Sequence, residues 1–136
     1  MTLHALVIGA AAGAAAAIAP GVLAGTAGHT AVKPIAVEVT ETEFKVAFSR
    51  QSVSAGSTVV FTVTNKGRIP HDFKIAGRKT PTLAPGASAT LTVKLAKKGQ
   101  TPYLCTLPGH AAGGMKGAYA VGVTPLPVKA VATTTA

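Results

Sequence analysis

From Ile35 onward, apolar and polar residues alternate with a period of two in short runs separated by Gly, Pro, Asn and Ser, as expected of strands with one buried face. Ile35, Val37 and Val39 share one face of the first run, opposite Ala36, Glu38 and Thr40. The run Glu43 to Ser49 groups Phe44, Val46 and Phe48, and after the turn Ser54-Ala55-Gly56-Ser57 a third run sets Val59, Phe61 and Val63 against Val60, Thr62 and Thr64. Asn65-Lys66-Gly67 is a turn signal. His71 then shares a face with Phe73 and Ile75, and Thr80 to Gly86 is a loop. Ser88 to Leu95 places Leu91, Val93 and Leu95 on one side, Lys97-Lys98-Gly99 is a basic turn, and Ala118 to Val123 spaces Tyr119, Val121 and Val123 by two. No amphipathic helical stretch follows residue 30. Seven or so short strands joined by Gly/Pro turns predict an all-β fold, an antiparallel sandwich.

The first 28 residues break this pattern. An apolar run from Ala5 to Ala19, mostly alanine and glycine, is followed by Pro20 and small residues through Gly28. Residues 1–28 are expected to be an export signal, with cleavage after Ala24, where Val22-Leu23-Ala24 fits the small-x-small pattern, or after Ala27. No Lys or Arg occupies the segment before the run, and a retained membrane anchor is the competing expectation, since about 20 uncharged residues can span a bilayer. Either outcome makes the rest of the chain extracytoplasmic: periplasmic, in the cell envelope or secreted. Residues 29–124 are the expected domain, and 125–136, with two prolines and a lone Lys129, an expected disordered tail.

Composition narrows the partners. Thirteen Lys and Arg against four acids give a formal charge of +9, and no side-chain charge precedes Lys33. Such a balance suits an acidic protein partner or an anionic envelope surface. The cations are scattered singly or in pairs and only four Phe and two Tyr are available for stacking, which argues against nucleic acid.

The single cysteine cannot form an internal disulfide, and it heads a Pro/Gly loop rather than an apolar run. In Cys105-Thr106-Leu107-Pro108-Gly109-His110-Ala111-Ala112-Gly113-Gly114-Met115, a thiol, an imidazole and a thioether stand five residues apart. Copper that cycles between its two oxidation states wants a soft thiolate, imidazoles and at most a weak axial contact, which two His, one Cys and one Met provide. The second histidine must come from outside the loop, and His71 is the candidate, although an inward-facing histidine is more often a hydrogen-bonded core residue. His4 falls in the expected signal and His29 near the expected mature start, so neither belongs to the site.

Pro70-His71-Asp72-Phe73 and Tyr103 to Gly117 resemble the two halves of a cupredoxin, or blue (type 1) copper, site of the plastocyanin/azurin superfamily. The resemblance covers about residues 35 to 124 and implies a Greek-key β-sandwich of about seven to eight strands. It implies one copper ion held by His71, Cys105 and His110 as equatorial ligands, with Met115 as the weak axial one. The Cys-x4-His-x4-Met loop is more similar to rusticyanin-like and sulfocyanin-like members than to plastocyanins. Asp72, where the family usually has Asn or Ser, is expected to reach Thr106 and tie the two ligand segments together. By the same resemblance the protein is a one-electron carrier and not an enzyme; it is expected to be a monomer acting on redox partner proteins, to which the charge balance assigns an acidic docking surface. Electrons would leave at His110 through a rim of Ile69, Pro70, Leu107, Pro108, Ala111 and Ala112, with Arg68 and Lys116 steering the partner. The alternative is an extracytoplasmic copper-binding or delivery protein.

Other chemistries fit less well. Methionine is uncharacteristic of zinc sites, and a Cys/His hydrolase would need a cleft and oxyanion donors. Neither the second cysteine of a dinuclear copper centre nor a His-x-His motif of multicopper oxidases is present.

Overall fold

The structure, a computed structural model, describes Gly28 and residues 31–127. Apart from Gly28, the expected signal with its cleavage points lies outside the described residues, as do His29 and the tail beyond residue 127.

Among the described residues, nine strands form two sheets: β1 (Ile35–Thr42), β2 (Lys45–Phe48), β3 (Ser52–Val53), β4 (Ser57–Asn65), β5 (Lys74–Ile75), β6 (Arg78–Lys79), β7 (Ser88–Leu95), β8 (Gly99–Leu104) and β9 (Lys116–Val121). One sheet has the order β2-β1-β4-β7 and the other β3-β9-β8-β5-β6. The count exceeds the expected seven to eight because β3, β5 and β6 are two-residue strands that carry too few positions to show a period.

The alternation decides which residues are interior. Val37, Val39, Val59, Phe61, Val63, Leu91, Val93, Leu95, Tyr119 and Val121 are all buried in one core between the sheets. Register aligns them, with Val37 opposite Phe61, Val59 opposite Val93 and Phe61 opposite Leu91. Phe48, Phe61, Phe73, Tyr103 and Tyr119 form one aromatic cluster, in which Phe61 and Tyr119 meet across the sheets at 5.6 Å between ring centroids.

Several expectations require correction. The sandwich is mixed rather than antiparallel, because β1 pairs parallel with β4 and β3 parallel with β9. The chain leaves the first sheet after β2, adds β3 to the second, and returns beside β1 running the same way. Phe44 does not join Val46 and Phe48 on a strand face; it lies in the β1–β2 turn with 40% of its surface exposed. Val123 falls beyond β9, where Gly122 turns the chain at φ 63°. A one-turn helix, α1 (His110–Gly113), sits inside the Cys105–Met115 loop, where no helical pattern was expected.

Candidate metal centre

Two segments supply the site. His71 lies on the connection from β4 to β5, and Cys105, His110 and Met115 lie on the connection from β8 to β9. Both connections are braced by their own polar groups. Asn65, fully buried at the end of β4, donates through Nδ2 to the carbonyls of Ile69 and Leu83, each at 2.8 Å, and accepts the Gly67 amide at 2.8 Å. His71 exchanges two backbone hydrogen bonds with Leu83, at 3.1 and 2.7 Å. The β8–β9 loop closes on itself: the Cys105 amide donates to the Met115 carbonyl at 2.9 Å, and the Met115 amide to the His110 carbonyl at 3.0 Å. Gly109 at φ 81° and Gly114 at φ 127° allow the reversals on either side of α1.

These braces bring the expected donors together. One ligand atom each from His71, Cys105 and His110 lie within 4.8 Å of one another. The two Nδ1 atoms are 3.1 Å apart, and Cys105 Sγ is 3.5 Å from His110 Nδ1. His71, Cys105 and Met115 are fully buried, and His110 is half-buried, so one imidazole alone reaches toward the surface. Burial lowers the pKa of His71, with the neighbouring His110 adding to the effect, and burial raises that of the Cys105 thiol. A bound cation would reverse that balance at the sulfur, since metal binding displaces the proton from a thiol.

Asp72 meets its expectation. Its Oδ1 accepts the Thr106 amide and its Oδ2 the Thr106 hydroxyl, each at 2.5 Å, while Lys79 Nζ stands 3.3 Å from Oδ2. Burial alone would raise the Asp72 pKa, but the Thr106 bonds and Lys79 outweigh it and hold the carboxyl below its ordinary value. The Asp72 amide also points at Cys105 Sγ, at 3.5 Å.

Three neighbours of the site were not singled out by the sequence. Phe44 meets His110 edge-on with ring centroids 5.3 Å apart, and Glu43 Oε1 lies 3.6 Å from His71 Nε2. Glu41 is fully buried with both carboxylate oxygens unpartnered, and its pKa is pushed up to about 7 by burial first and by Asp72 second. A signal for Glu41 existed, because one more step of the Val37, Val39 alternation places it inward. Glu43 and Phe44 had none, since their contacts cross to segments far along the chain.

The donor set can be tested against copper from this geometry. Two imidazole nitrogens and a thiol sulfur converge from two segments, and a buried methionine follows on the same loop. A thiolate, two imidazoles and a thioether are the set that suits both copper oxidation states. The residues therefore fit.

Comparison with known proteins agrees. No curated protein sequence matches the chain. Among solved structures, dithionite-reduced auracyanin from Roseiflexus castenholzii is similar at 26% identity and TM-score 0.54, over 63% of this chain and 95% of that one. Auracyanin A, described as a blue copper protein from Chloroflexus aurantiacus, is similar at 21% identity and TM-score 0.56, over 65% of this chain and 99% of its own. A blue copper oxidase from Nitrosomonas europaea shares the fold at 22% identity and TM-score 0.55, over 70% of this chain but 41% of that one. The finer likeness of the loop to rusticyanin-like and sulfocyanin-like members is not carried by these matches. The family profile described as "Cupredoxin-like domain" matches residues 7–115. The chain belongs to the cupredoxin-like family, and its His–Cys–His cluster fits the single type 1 copper ion of that family.

Proposed function

We propose that the protein is an extracytoplasmic one-electron carrier and not an enzyme, with His71, Cys105, His110 and Met115 as the copper ligands. In this reading residues 1–28 are an export signal, residues 29–124 the working domain and the remainder a tail. The observation that carries it is the convergence of the His71, Cys105 and His110 donor atoms within 4.8 Å, from two segments fastened together by Asp72 and Thr106. When bound, the copper supplies a reversible Cu(II)/Cu(I) couple. The protein's part is to hold the donors in one arrangement acceptable to both states, so that little rearrangement accompanies transfer.

His110 is the exit, because the other three side chains are sealed from solvent. Its surroundings combine the expected rim, where Ile69 is 36% exposed, with Phe44 from the β1–β2 turn. Complete burial of the thiol and of His71 supports retention of copper over its delivery to an acceptor.

Charge supports an acidic partner for a monomeric carrier. Two of the four acids, Glu41 and Asp72, are buried, the second paired with Lys79, so Glu38 and Glu43 alone remain as exposed acids on a surface rich in Lys and Arg. Register also aligns Lys116, Leu104, Lys74 and Lys79 in one row across β9, β8, β5 and β6, immediately before Cys105. All three lysines are exposed.

The test is to add Cu(II) to the purified metal-free protein. An intense blue thiolate-to-copper band is expected, reversible on reduction and lost in Cys105→Ser. A wild-type protein without that band rules out the assignment, and copper that transfers to an acceptor while a redox partner stays unreduced favours delivery instead.

A further inference from the structure

The β1–β2 turn contributes to the site although it carries none of the proposed ligands. Glu43 Oε1 accepts the backbone amides of Arg68 and, at 3.0 Å, Ile69, so the carboxylate is anchored to the connection that carries His71. The same oxygen is 3.6 Å from His71 Nε2, which is buried and has no hydrogen-bond partner. Gly67 makes room for this arrangement: a Cβ there would overlap Glu43 Oε1 and come within 3.0 Å of His71 Nε2. Any side chain at residue 67 would displace the carboxylate from the imidazole.

The two ring nitrogens of His71 therefore face different surroundings. Nδ1 points at the donor cluster, 3.1 Å from His110 Nδ1, and Nε2 points at Glu43. A neutral imidazole carries one proton, and it can offer Nδ1 to a metal only when that proton sits on Nε2. A buried N–H requires an acceptor, and an ionised carboxylate is acceptor-only. At 3.6 Å the contact is an ion-pair distance and longer than a hydrogen bond, and shortening it by a few tenths of an ångström would make it one.

We propose that Glu43 is a positioning residue of the metal centre: it takes the Nε2–H of His71, selects the tautomer that frees Nδ1, and places a negative charge behind that imidazole. The inference rests on His71 being a ligand. Carboxylates commonly hold metal-bound histidines in this way and raise their basicity. Added negative charge favours the oxidised ion. Glu43 thus differs from Asp72, which ties backbone segments together and does not face an imidazole nitrogen.

Nitrogen-15 NMR of the histidine rings reads the tautomer in the metal-free protein at neutral pH, without relying on copper. Wild type is expected to show His71 as Nε2–H, with Glu43→Leu and Gly67→Ala each shifting population toward Nδ1–H and Glu43→Gln, which keeps an acceptor oxygen, shifting it less. Gly67→Ala keeps the carboxylate and its charge while crowding both it and His71 Nε2, so it serves even where Glu43→Leu fails to fold. In the copper-loaded protein, Glu43→Gln is expected to lower the ratio of Cu(II) to Cu(I) affinity about tenfold, a rise in potential of about 59 mV. A wild-type His71 protonated on Nδ1, or a tautomer unmoved in both Glu43→Leu and Gly67→Ala, overturns the proposal. An unchanged potential in Glu43→Gln overturns its electrostatic part. An Nε2–H His71 that responds to Glu43 in a protein giving no blue band upholds the positioning and overturns the copper reading instead.

Discussion

Asp72 accepts both the amide and the hydroxyl of Thr106, so the residue after one imidazole of the site is fastened to the residue after its thiol. These bonds reach across thirty-four positions of the chain and close the two ligand segments on each other. An ionised carboxylate here also stabilises the more highly charged copper. Asp72→Asn is expected to raise the potential, which a redox titration measures, and an unchanged or lower value would count against the electrostatic role. Asp72→Ala leaves the Thr106 amide and hydroxyl without their acceptor and is expected to cost on the order of 2 to 3 kcal/mol of stability.

Phe44 covers one side of His110 with its ring edge, at 5.3 Å between centroids. Gly113 lies against the same ring, where a Cβ would come within 3.0 Å. Removing the ring opens the exposed side of the site without touching the core. Phe44→Ala is expected to lose about 1 kcal/mol and to release copper to a chelator several-fold faster. Release at the wild-type rate would show that the ring does not shield the site.

Glu41 makes stability depend on pH. Burial raises its pKa from the ordinary 4.5 to about 7, so between those values the folded chain keeps a proton that the unfolded chain has lost. The associated stability is fully present below the unfolded value and is lost as pH rises through the folded one. Unfolding of the metal-free protein in urea is therefore expected to become easier as pH rises from the ordinary 4.5 to about 7. Glu41→Gln should flatten that fall and be more stable at the upper end by on the order of 2 kcal/mol. Equal slopes in the two proteins would remove Glu41 as the cause.

The lysine row across β9, β8, β5 and β6 ends beside Cys105, whereas Lys97 and Lys98 lie at the opposite end of β8. Reversing charge at Lys74 and Lys116 is expected to slow oxidation of the reduced protein by hexacyanoferrate several-fold at low salt and to weaken its salt dependence. Reversal at Lys97 and Lys98 should do less, since those charges lie the length of the strand farther from the exit and their interaction with the anion weakens with distance. Equal effects from the two pairs would argue against steering toward this face.

The sequence by itself determined the core, because a strand's period of two sorts side chains to opposite faces whatever the strand pairs with. Val37, Val39, Val59, Phe61, Val63, Leu91, Val93 and Leu95 were legible for that reason, and all are buried. The loop from Cys105 to Met115 was legible because three chemically distinctive donors sit close together, and a single inward histidine, His71, was available to join them. Strand direction was not legible: the parallel pairing of β1 with β4 follows from how the chain crosses between sheets, which no local pattern records. The β5–β6 hairpin was hidden because its strands are two residues long and Ala76, at φ 48°, takes a turn position usually left to glycine or asparagine. Only the tertiary structure decided that Glu43 faces His71, that Phe44 covers His110 and that Glu41 is sealed near Asp72. Those relationships depend on the packing of residues about thirty or more positions apart, and spacing along the chain carries no information about them.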